Sequence, residues 1–284
     1  MNPKKNSIPI IHSGGKSGLG HMLKIEVNVS GKETFFIFDT GIGVNLISKS
    51  LCADLGCKIT GSTTGKRMTG QELTVPMSKV ESLKVANVQS TRVDTGVWDF
   101  KQLLPNTPEF NKVQGYLSLN FFDKQPFTID YTKNLLIIED DESLNERIKQ
   151  GTTVPISKRY QGSALTIHVP VKSPINKTLD MQLDLGTDIL TISDKYLGDF
   201  KPYFDKTTVK TQSIKDETGF NRNRVFVKLN GDVGLLSKNL RSQKGPKVMF
   251  QRIIYDGIIG NNFFKDRVVT YDLKNSRLII DIEK

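Results

Sequence analysis

The sequence predicts an all-β protein made of two lobes of β-barrel type, related by a pseudo-twofold axis. Three observations carry that expectation. Blocks of sequence recur in the same order in both halves, displaced by 145 residues early in the chain and by 142 later. Apolar residues alternate with the period of a strand. Stretches with helical periodicity are few and short, which favours barrels over layered α/β folds.

The elements follow in order. Ile8-Pro9-Ile10 is repeated as Val154-Pro155-Ile156, each ahead of an Asp-x-Gly triplet. Leu23 to Val29 alternates with period two, Ser30-Gly31-Lys32 makes a turn, and Thr34 to Phe38 is an apolar strand that ends in Asp39. Phe38-Asp39-Thr40-Gly41, running on to Asn45-Leu46-Ile47-Ser48, matches Leu183-Asp184-Leu185-Gly186, running on to Leu190-Thr191-Ile192-Ser193. A short helical turn is expected from Ser48 to Leu55, stopped by Gly56, and again from Ser193 to Leu197 with Gly198. Strands are expected at Val80 to Val85, Val88 to Val93, Phe127 to Ile129 and Leu135 to Ile138. Gly115 to Phe122 matches Gly257 to Phe264, and Thr128-Ile129-Asp130 matches Thr270-Tyr271-Asp272. The repeats divide the chain into a lobe at 1–140, a linker at 141–153 and a lobe at 154–284, with the acidic stretch Glu139 to Arg147 and Gly151 as a natural hinge.

With 284 residues, 37% of them hydrophobic and 25% charged, the chain is long and apolar enough to bury a core in each half. The net charge of +10 comes from scattered Lys and Arg without a long basic run or an aromatic-interleaved signature, so a solvated basic surface is expected and nucleic acid is not the expected partner. No apolar run is long enough for a membrane span, and Met1 to Gly20 lacks the apolar segment of a signal peptide. The compartment stays open: periplasmic or secreted if a leader has been removed, otherwise cytoplasmic. Cys52 and Cys57 lie five apart in an expected helical turn, where their side chains point away from each other and act in packing. Three histidines and two cysteines offer no metal-ligand spacing, so neither a metal nor another cofactor is expected.

An Asp that follows a buried strand and precedes a glycine, twice in one chain, points to chemistry. If the lobes pack about a twofold axis, Asp39 and Asp184 meet, and two close carboxylates share one proton. One then acts as base on a water and the other as acid towards a carbonyl.

On these residues the sequence resembles the aspartic proteases of the retropepsin and pepsin clan, in particular the bacterial retropepsin-like proteins with two lobes in one chain. The resemblance rests on Phe38-Asp39-Thr40-Gly41, on Leu183-Asp184-Leu185-Gly186-Thr187, and on Ile258-Ile259-Gly260 with its counterpart Tyr116-Leu117-Ser118. It implies the acid protease fold, catalytic Asp39 and Asp184, active-site loops of Thr40, Gly41, Leu185, Gly186 and Thr187, and a peptide or protein substrate. It also implies activity as a monomer, a pseudo-dimer within one chain. A flap over the cleft would fall in Lys66 to Val75, with Met68, Thr69 and Gly70 touching substrate.

Two departures from the family pattern stand out. The family's threonine grips the other lobe by hydrogen bonds; Thr40 supplies one and Leu185 cannot supply the other. The residue after the glycine is expected to bond the outer carboxylate oxygen; Thr187 suits that role and Ile42 does not. Asp188 is expected to face solvent. Asp94-Thr95-Gly96 has no partner triplet and reads as a turn; Asp130 and Asp272 read as strand-end residues. His12, His21 and His168 read as surface or structural histidines, and Trp98 and Phe100 as core or cleft wall. The expected activity is aspartic endopeptidase. The rivals are a catalytically impaired relative that binds peptides in the same cleft and, behind it, a nucleic-acid binder.

Overall fold

The computed structural model describes residues 6–13, 22–99, 104, 108, 110–215, 221–237, 240 and 242–281; His21 and Phe100 lie outside them. The fold is all-β, with three sheets and only short helices.

The first sheet has eight strands in the order Ile11–Ser13, Met22–Val29, Lys32–Phe38, Val113–Leu117, Leu46–Ser48, Val88–Trp98, Glu72–Val85 and Ile59–Lys66. The second repeats its central pattern. In the first, Lys32–Phe38 runs parallel to Val113–Leu117, and Leu46–Ser48 runs antiparallel to the same strand. In the second, Thr178–Leu183 runs parallel to Gly257–Ile259, and Leu190–Ser193 runs antiparallel to it. Each Asp-x-Gly segment joins two strands that flank one central strand, so it must cross that strand's end. The crossing is pinned there: the Asp39 amide donates to the Leu117 carbonyl and the Asp184 amide to the Ile259 carbonyl, both at 3.0 Å.

A third sheet of six strands takes three from each half: Ser7–Pro9, Leu135–Ile138, Phe127–Asp130, Val268–Asp272, Arg277–Asp281 and Gly151–Pro155. Thr128 pairs with Thr270 at its centre, their hydroxyls 2.7 Å apart, and Phe127 stacks on Tyr271 with centroids 4.7 Å apart. The matched sequence positions therefore meet at the pseudo-twofold axis. Phe38, Phe122 and Phe127 pack edge to face beside this sheet at 5.4 to 5.6 Å, and fully burying each ring stabilises the fold by about 2–3 kcal/mol. The Asp39 strand is thereby anchored by its last apolar residue.

Several expectations need correction. The strands expected at Val80–Val85 and Val88–Val93 extend to Glu72–Val85 and Val88–Trp98, because the polar residues of these stretches keep the ladder, some facing out and Ser78 and Thr95 buried within it. Asp94-Thr95-Gly96 is thus strand, not turn, and Asp94 pairs with Lys79 at 2.6 Å. The first helix, Lys49–Asp54, is capped by the Ser48 hydroxyl, which accepts the Leu51 amide. In the second half a 3₁₀ turn at Asp194–Tyr196 runs into Leu197–Phe200, so Gly198 lies within the helix and does not stop it. The acidic hinge is itself a helix, Asp141–Gln150, closed by a capping box between Asp140 and Ser143. Cys57 lies beyond the first helix and folds back, its amide donating to the Cys52 carbonyl at 2.9 Å. The two free thiols consequently face each other, and burial with Cys57 alongside pushes the Cys52 thiol's pKa up. Among the described residues no helix is long and apolar enough to cross a membrane.

Candidate active site

Asp39 and Asp184 meet at the axis. Each packs on the glycine of the other's triplet: a Cβ added at Gly41 would lie 2.5 Å from the Asp184 carboxyl, and one at Gly186 would lie 2.5 Å from that of Asp39. Only glycine permits this approach, which explains the third residue of both triplets. The Gly41 amide donates to Asp39 Oδ1 at 2.8 Å and the Gly186 amide to Asp184 Oδ1 at 2.9 Å. The two carboxyls thus face each other across the paired triplets.

The surroundings make ionising both carboxyls unfavourable. Burial raises both pKa values, and the Asp184 charge lifts Asp39 further, well above the usual carboxylate range. The Gly186 amide, and after it Asp39, act against that rise at Asp184. Two buried carboxyls this close favour holding one proton between them, and the titration belongs to the pair. Both residues are half-buried.

The loops that carry the carboxyls are tied together unequally. Thr40 is buried, its hydroxyl donating to the Leu183 carbonyl at 2.8 Å and accepting the Leu185 amide at 3.0 Å. Leu185 is equally buried and returns only apolar contact. Thr187 departs from expectation: its hydroxyl accepts the Ile189 amide at 3.4 Å, the local turn of a Thr two residues back, and is not on the Asp184 carboxyl. In the first lobe the Ile42 side chain joins an apolar cluster with Leu46, Val75, Tyr116 and Trp98. Asp188 is buried, against the expectation that it would face solvent, because the chain passes directly under Gly260.

Sequence reasoning missed the asparagines that brace the loops. Asn45 accepts the Ser118 amide at 2.9 Å, and Asn120 donates to the Gly43 carbonyl at 2.8 Å. Asn261 donates to the Leu185 carbonyl at 2.7 Å. Their signal was present in the repeated blocks, as polar residues inside otherwise apolar runs. Tyr116 and Tyr255 were also missed. Burial comes first in raising both phenol pKa values, and the charges of Asp39 and Asp184 respectively add to it.

The hairpin of Ile59–Lys66 and Glu72–Val85 reaches across to the second lobe at its tip. There the Met68 carbonyl accepts the Ile254 amide at 2.8 Å, and the Met68 sulfur accepts from Gln251 at 3.9 Å. Gly70 takes a φ of +88° in the turn, and the Thr69 hydroxyl donates to Gln71 at 2.9 Å. Met68, Thr69 and Gly70 thus lie together against Gln251 and Ile254. A separate cavity of about 710 Å³ opens on the second lobe among Leu235, Leu240, Lys244, Phe263 and Lys265, and neither carboxyl lines it.

Asp130 and Asp272 are strand-end residues as read from the sequence, Asp130 capping Thr132 and Lys133 and Asp272 holding Asn275 and Arg277. His12 bonds Asn134 at 2.7 Å. His168 is fully buried, edge-on to Tyr255 at 5.2 Å. Among the described residues no group of three or more His, Cys, Asp or Glu could hold a metal ion.

Comparisons with known proteins agree with this architecture. A family model described as aspartyl protease matches residues 25–121, which hold the first Asp-x-Gly triplet and the hairpin of Ile59–Lys66 and Glu72–Val85. Among curated proteins none matches the chain. Solved structures with a similar fold include conglutin gamma, a basic 7S globulin from lupine seeds, with a TM-score of 0.58 at 11% identity over 100% of this chain and 96% of that one. Basic 7S globulin from soybean gives 0.55 at 11% identity over 98% and 95%. The protein called edgp gives 0.55 at 9% identity over 99% and 95%.

Proposed function

We propose that this protein is an aspartic endopeptidase that hydrolyses peptide bonds by a water activated between Asp39 and Asp184. The observation that carries the reading is the reciprocal packing of each carboxyl on the other's glycine; in this reading the pair holds one proton between them. In this reading the ionised Asp184 takes a proton from the water as it attacks the scissile carbonyl carbon, and Asp39 gives its proton to the carbonyl oxygen. The tetrahedral intermediate then collapses with the proton passed to the leaving nitrogen. No covalent adduct with the protein forms. Gly41 and Gly186 amides orient the carboxyls, and the flap tip covers the peptide and excludes water. The protein acts as a monomer, because each lobe supplies one carboxyl, with lobes at 1–140 and 154–284.

A second reading is supported by Leu185. With one grip hydroxyl of two, the loops are less firmly preorganised, which suits a peptide-binding protein of weak or no turnover. Pepstatin-sensitive cleavage of an unfolded protein at acidic pH supports the first reading. Peptide binding without cleavage supports the second.

A further inference from the structure

Outside the dyad, Arg224 is the side chain whose position is least explained by folding. It lies in the strand Asn221–Lys228, half-buried, and its Nε donates to Gln251 Oε1 at 3.1 Å. No carboxylate pairs with it among the described residues. Burial, and after it the charge of Arg222 two residues along the same face, lowers its pKa. A partly desolvated cation without a carboxylate among the described residues gains from an anion that meets it. Gln251 is itself almost fully buried, and its other amide atom donates to the Met68 sulfur of the flap tip. One amide therefore links the guanidinium to the flap. The hairpin that carries Arg224, Lys210–Lys215 with Asn221–Lys228, occupies in the second sheet the edge that the flap hairpin occupies in the first.

We propose that Arg224 is a specificity residue that receives a side-chain carboxylate of a peptide lying under the flap, so that the cleft selects acidic peptides. The inference rests on the peptide-cleft reading above and names the substrate class. A guanidinium presents its outer N–H groups as a fork that fits a carboxylate in bidentate fashion, and here Gln251 engages Nε. The chain's net charge of +10 would speed the approach of such peptides.

The experiment compares short peptides in pairs identical but for Glu or Gln at one position, scanned along the sequence, with binding read by fluorescence anisotropy and cleavage by mass spectrometry. At one position the parent should prefer Glu by about 10-fold, as expected for a charge-assisted pair, and less at high salt. Arg224→Gln should abolish that preference while changing binding of the Gln peptides less than about 2-fold. Arg224→Lys, which keeps the charge and loses the fork, should retain part of it, and it serves as the test if Arg224→Gln does not fold by circular dichroism. Peptides bound with no Glu preference at any position, or a preference that survives in these variants, would overturn the inference alone. Failure of the parent to bind any peptide would overturn the peptide-cleft reading and this inference with it.

Discussion

Thr40 holds Leu185 across the centre of the molecule, accepting its amide at 3.0 Å while donating to the Leu183 carbonyl at 2.8 Å. One side chain of the first lobe thus fixes both neighbours of Asp184, and nothing of the kind returns from Leu185. Thr40→Val removes both bonds and leaves two buried backbone groups unpaired, which should destabilise the fold by about 2–4 kcal/mol. Leu185→Thr supplies the missing hydroxyl and should change stability by no more than about 2 kcal/mol. Urea denaturation of the two variants measures the asymmetry; equal effects would mean that the grip does not carry the load assigned to Thr40.

The carboxyl pair makes a prediction about stability that needs no substrate. Burial raises both folded pKa values above the ordinary 3.8. A carboxylate whose folded pKa is raised binds its proton more tightly when folded, so the native state gains as pH falls through the raised value and loses as pH rises through it. Asp39→Asn should therefore stabilise the protein at neutral pH, and the gain should vanish below about pH 3.8. Thermal unfolding across pH tests this, and a variant less stable than the parent at neutral pH would contradict it.

His168 works in the opposite direction. Burial first, then the Arg159 charge, lowers its pKa from 6.5 to about 4, against the pull of Asp180, whose carboxylate is 3.5 Å away, and of Asp256. A base with a lowered folded pKa is protonated first in the unfolded chain. Stability is then fully present above pH 6.5 and is lost progressively down to about pH 4, by about 3 kcal/mol. His168→Leu should flatten the stability profile over that window. If parent and variant lose stability in parallel, His168 is not the group responsible.

The legible part of this protein was its repetition. The two Asp-x-Gly blocks and the later matched blocks, read from spacing alone, come together as the dyad and as the central pairing of Thr128 with Thr270. The helix cap at Ser48 and the missing half of the grip at Leu185 were likewise visible, because both depend on residue type at one position. What could not be read depends on long-range partners. Thr187 has the hydroxyl for a carboxylate but spends it on its own turn. Asp188 looks like a surface acid until the chain is seen passing under Gly260. Asn45 and Asn261 brace the two loops by different routes, so no sequence repeat marks them as equivalent. The polar residues of Glu72–Val85, one of them the buried Ser78, hid a long strand behind a polar composition.

The flap offers a check on the cleft. Gly70 adopts φ +88°, and a Cβ there would stand 3.1 Å from Ile254, so Gly70→Ala adds about 1–2 kcal/mol of backbone strain and crowds the contact with the second lobe. KM for peptides should rise, and trypsin should cut more readily at Arg67 in the tip. Unchanged KM and unchanged proteolysis would place the hairpin outside the substrate path.

The central claim is that Asp39 and Asp184 act as one unit, and the most direct test is cleavage of an unfolded protein substrate by Asp184→Asn beside the parent at acidic pH. The amide is nearly isosteric but cannot take the proton of the water. Turnover should fall by at least about 10²-fold with the folded structure intact by circular dichroism. Near-normal turnover by Asp184→Asn would contradict the account and reduce the second lobe to a scaffold.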